Sequence, residues 1–188
     1  MTGRVGVIPP WTLAVVAMLS IQTGSALSIS LFDDIGPAGT AWLRMSLGAV
    51  ILLVLVRPSW SSVSRTQWPG LLGLGVATGV MTSAFLSALD RLPLGTTVAI
   101  EFLGPLTVAA WAGRSMRAAV WPLVALGGVV LLTEPWQGDF EALGVLFALI
   151  AALGWAFYIV MTQHVGDRFS GIQGLAMAMP VAAITSSV

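Results

Sequence analysis

The chain is a succession of apolar runs, most of them about 20 residues long and apolar on every side, joined by short polar connections. A helix rises about 1.5 Å per residue, so about 20 apolar residues cross a hydrocarbon layer about 30 Å thick. The pattern predicts spans at residues 11–32, 38–56, 68–89, 94–112, 118–132 and 142–161. A seventh run begins near Ile172 and is still apolar at Val188. Period-two alternation is missing, which argues against membrane strands. The expected fold is therefore all-α: a polytopic transmembrane helix bundle with six complete spans and a partial seventh.

The first run needs one distinction. Arg4, the apolar stretch 11–21 and the small residues Gly24 and Ala26 imitate a secretory signal with its cleavage site. The stretch continues to Phe32, long enough to span, and further spans follow. An uncleaved first helix is expected.

The connections sort by charge. With the N-terminus cytoplasmic, Arg4, Arg57, Arg65, Arg114, Arg117 and Arg168 fall on one side. The other side holds Arg91 with Asp33, Asp34, Asp90, Glu134, Asp139 and Glu141. This is a positive-inside pattern, and it predicts a multi-pass membrane protein with a cytoplasmic N-terminus.

Composition narrows the function. Of 188 residues, 57% are hydrophobic and 9% charged, against about 25% charged in a soluble domain, so the lipid bilayer is the expected solvent. A net charge of zero offers no basic surface to nucleic acid. Without cysteine there are no disulfides and no thiolate chemistry, and the lone His164 cannot build a metal site. Metalloprotease, nucleophile-elbow and phosphate-loop motifs are missing as well, so neither an enzyme nor a cofactor is expected.

Two charges remain inside spans. An ionised carboxylate in hydrocarbon is costly, so Glu101 is expected to face the bundle interior and to mark an ion or substrate path, protons included. Arg44 lies about six residues from the outer end of its span and Glu101 about seven from the outer end of its own, each about 10 Å deep. They are expected to pair directly or through a ligand bearing an amino and a carboxylate group. The alternative for Arg44 is to snorkel to the interface.

Other residues could line the same interior. Gln22, with Ser20 and Thr23, sits near the middle of the first span, although Ser and Thr also bond back to their own helix. Gly104-Pro105 is expected to break the fourth helix just after Glu101. Trp155 and Tyr158 suit either a cavity wall or an interfacial belt. Small residues recur every four positions at Ser20-Gly24-Ser28, Gly75-Gly79-Ser83-Ser87 and Gly144-Ala148-Ala152-Ala156, a packing pattern for helices in lipid. A faint repeat at an offset of 134 residues sets Asp33 against Asp167 and Met45 against Met179. It matches the first helix to the sixth in inverted orientation, a plan known in secondary transporters.

These residues carry a family resemblance. Pro93-Leu-Gly95 and Val98-Ala-Ile-Glu-Phe-Leu-Gly-Pro-Leu106 resemble the fourth-helix signature of EamA-type members of the drug/metabolite transporter superfamily. Ser20-Ile-Gln22, Trp42-Leu-Arg-Met-Ser-Leu-Gly48 and Gly154-Trp-Ala-Phe-Tyr-Ile159 agree in order. The resemblance implies ten helices in two inverted five-helix repeats, here 11–132 and an incomplete 142–188. It also implies proton-driven efflux of small amphipathic metabolites, such as threonine- or homoserine-like amino acids, with Glu101, Arg44 and Gln22 at motif positions. Set against that plan the chain reads as a truncated product, a fragment or half of an assembly, and in the last case a homodimer or another partner would supply the missing helices. A non-transporting membrane subunit is the rival expectation.

Overall fold

The computed structural model describes residues 10–113, 116–133, 141–166 and 172–187. Among the described residues all regular structure is helical: α1 (Pro10–Ile29), α2 (Phe32–Val56), a 3₁₀ turn (Trp60–Ser62), α3 (Trp68–Leu89), α4 (Leu94–Glu101), α5 (Leu103–Gly113), α6 (Met116–Thr133), α7 (Ala142–Gly166) and α8 (Gln173–Thr185). The sequence expectations of Arg4, Arg114, Glu134, Asp139, Asp167 and Arg168 lie outside the described residues.

The boundaries follow local chemistry. Gly36 adopts φ +70°, a left-handed conformation open to glycine, and Pro37 follows with its φ already set for a helix. The long straight part of α2 therefore begins where the hydrophobic pattern placed it, at residue 38. Pro69 stands in the first turn of α3, where its missing N–H costs nothing. Pro105 cannot donate to the carbonyl four residues back, that of Glu101, and the fourth span divides there into α4 and α5 around Phe102. The expected helix break is present.

Four segments are long and apolar enough to cross a membrane: Phe32–Val56, Trp68–Leu89, Leu94–Gly113 and Ala142–Gly166. The apolar parts Val15–Ile29 and Gln173–Thr185 are shorter. By this measure the described residues give four clear crossings, fewer than the six complete spans expected from hydropathy. The outer surface is apolar, with Trp111 77% exposed, as a lipid-facing surface requires.

Helix α3 occupies the centre and packs against α7, α8, α2 and α4. Small residues make this possible. A Cβ on Gly75 would lie 2.6 Å from the Ala178 carbonyl oxygen of α8, and one on Gly79 would lie 2.7 Å from that of Ala182. Ala148 and Ala152 of the α7 stripe are buried in the same way. The α1 stripe differs: Gly24 has nothing within 4 Å of a built Cβ, so it makes no close helix approach. One end of the bundle carries the Arg91–Glu141 ion pair at 3.4 Å, joining the α3–α4 turn to the start of α7. The charge pattern had put these two residues on one side.

Candidate functional site

Six helices border a half-open cavity of about 750 Å³, placed between α1, α2, α3, the α4–α5 break and α7. Its walls are mostly apolar, among them Met81 and Phe85 of α3, with a few polar groups set into them. Gln22 and Ser25 come from α1, Arg44 from α2, Thr82 from α3 and Glu101 from α4. Pro105 forms part of the wall at the break, and Trp155 of α7 closes another side. Trp155 meets the Phe102 ring edge-on, with centroids 5.1 Å apart and planes at 72°. This geometry suits aromatic rings and fixes both side chains.

Arg44 and Glu101 face the same space. They are close enough for their charges to interact. No ion pair joins them, and among the described residues none holds the Glu101 carboxylate by a hydrogen bond. Arg44 instead reaches α1, where its Nη1 donates to Ser28 Oγ at 3.3 Å. Ser28 Oγ donates in turn to the Gly24 carbonyl at 2.7 Å. The guanidinium is thus held inside the bundle, against the snorkelling alternative, with most of its five N–H donors left for other partners.

Glu101 ends α4 at the break, and both it and Pro105 line the cavity. Gly104 is buried, and a Cβ there would run into the backbone of Ala152. A glycine at 104 therefore lets the broken helix lie directly on α7, and it places Glu101 near Trp155.

Of the residues singled out from sequence, Glu101, Arg44, Gln22, Trp155 and Pro105 line the cavity. Ser20 and Thr23 do not. Both are exposed, and Ser20 Oγ bonds back to the Val16 carbonyl at 2.8 Å. Tyr158 packs instead with Leu71, Leu74, Val165 and Met177, away from the cavity. Ser25, Ser28, Met81, Thr82 and Phe85 were missed. For the serines a signal existed: Gln22, Ser25 and Ser28 recur at three-residue spacing and share a helix face.

A bundle with an apolar surface and two opposite charges facing one cavity defines a polytopic membrane protein with a polar site among its helices. The chain is 36% identical to the threonine/homoserine exporter RhtA of Escherichia coli (strain K12), over 88% of its own length and 58% of that protein. It is 33% identical to the exporter of the same name from Salmonella typhimurium (strain SL1344), over 98% of its length and 64% of that protein. It is 24% identical to the pseudopaline exporter CntI of Pseudomonas aeruginosa, over 74% of its length. Over the matched length the chain is a homologue of these exporters. It spans less than two thirds of the length of each of the three. No family model matches the chain, and no solved structure matches it.

Proposed function

We propose that the chain is part of a secondary exporter of small amino acids of the threonine or homoserine kind, working by proton exchange from the bacterial inner membrane. The observation that carries this is the cavity itself, where Arg44 and Glu101 face one space without bonding to each other. Two opposite charges, each costly to bury, are best satisfied by a ligand bearing both complementary charges. A zwitterionic amino acid has that character, and the names of the homologous exporters point to the same class. Glu101 is also the one ionisable group in this cavity able to trade a ligand cation for a proton. Gln22 and Trp155 supply polar and aromatic wall. No reaction is assigned to the site.

The same proposal takes residues 11–132 as a first five-helix repeat and 142–188 as the start of an inverted second one, with the N-terminus cytoplasmic.

Proteoliposomes containing the 188-residue chain and preloaded with radiolabelled L-threonine or L-homoserine test the proposal. Efflux should exceed that from empty liposomes, and an inward proton gradient should accelerate it. Efflux no faster than from empty liposomes would favour a non-transporting membrane subunit.

A further inference from the structure

We propose that Ser25 and Arg44 together form a carboxylate subsite, with the Ser25 hydroxyl as a neutral donor beside the guanidinium. This deepens the export proposal and rests on it.

Several hydroxyls in these helices bond back to a carbonyl of their own helix. Ser20, Ser28, Thr78, Thr97 and Thr107 all do so, at 2.7 to 3.1 Å. Ser25 does not: it is 1% exposed, and its Oγ has no hydrogen-bond partner. A buried hydroxyl left unpaired is unfavourable, and such groups in native structures call for an explanation. Ser83 Oγ is the other buried and unpartnered hydroxyl among the described residues, but Ser83 does not line the cavity. Ser25 does.

Its position relative to Arg44 is set by α1. Ser28 lies three residues beyond Ser25, and residues at that spacing have Cβ atoms about 5–6 Å apart on one face. Arg44 Nη1 is anchored on Ser28 Oγ at 3.3 Å. Arg44 and Ser25 both line the cavity, with Ser28 between them in the contact. A carboxylate there accepts from the charged N–H donors of Arg44 and from the Ser25 O–H, which adds a bond without burying a further charge. Glu101 on the α4 wall is left for the ammonium group.

The test compares wild type with Ser25→Ala in lipid nanodiscs, using saturation binding of L-threonine and of L-threoninol, which lacks the carboxylate. Ser25→Ala should weaken L-threonine binding about tenfold or more and leave L-threoninol binding unchanged. The melting temperature of the ligand-free variant should be unchanged or higher, because an unsatisfied buried group has been removed. Equal losses for both ligands, or a lowered ligand-free melting temperature, would give Ser25 a structural role and overturn the subsite. A loss for L-threonine that L-2-aminobutyrate does not share would move Ser25 to the ligand's hydroxyl, and this also overturns it. Wild type without saturable binding of L-threonine or L-homoserine would overturn the export proposal itself, and the subsite with it.

Discussion

Glu101→Gln should reduce L-threonine efflux by about thirtyfold or more, since deleting one partner of a buried charge contact costs about 2–5 kcal/mol and each 1.4 kcal/mol is tenfold. Glutamine keeps the shape of the side chain and its capacity to hydrogen-bond, but it cannot ionise. Two consequences are expected together. Residual efflux should lose its dependence on a proton gradient, because the group that trades a cation for a proton is gone. The melting temperature should hold or rise, because a costly charge has left the interior and no salt bridge is broken. The pair of measurements separates transport from folding. Efflux from the variant that still tracks the proton gradient would remove Glu101 from the coupling step.

Gly104→Val should destabilise the bundle by about 1–3 kcal/mol, the usual range for overpacking a filled interface. The added Cβ meets backbone atoms of Ala152, not the flexible end of a side chain, so relief requires α5 to separate from α7. That movement also displaces the Phe102–Trp155 contact and the wall that carries Glu101. Both melting temperature and ligand binding should therefore fall. Gly127→Ala on α6 is the matching control. Nothing lies within 4 Å of its built Cβ, and replacing a mid-helix glycine by alanine gains up to about 1 kcal/mol. If Gly104→Val melted like Gly127→Ala, the close approach of α5 to α7 would not support the cavity.

Much of the site was legible in the sequence. Glu101 and Arg44 stood out because charges inside apolar runs are costly, and the Gly104-Pro105 break followed from the missing N–H of proline. What was not legible was rotation. Ser20, Thr23 and Gln22 occupy the same turn of α1, yet only Gln22 faces the cavity. Ser25 and Ser20 have the same side chain, but one is buried without a partner and the other is exposed and bonded to its own helix. Trp155 and Tyr158 are three residues apart on α7; one closes the cavity and the other packs beside Leu71 and Leu74. The four-residue stripe Ser20-Gly24-Ser28 suggested packing, whereas the face in use runs Gln22-Ser25-Ser28.

By itself the sequence determined what depends on neighbours along the chain. Helix positions, the kink at Gly36-Pro37 and the interruption near Glu101 arise from hydrophobic run length and from the backbone limits of glycine and proline. Only the tertiary structure decided which face of each helix turns inward. In lipid an apolar helix has little hydrophobic preference for one face over another, and the hydrophobic pattern alone does not set its rotation. Backbone contact at Gly75, Gly79 and Gly104 fixes the rotation of α3 and α5, and the assembled bundle brings Gln22, Ser25, Arg44 and Glu101 to a single cavity.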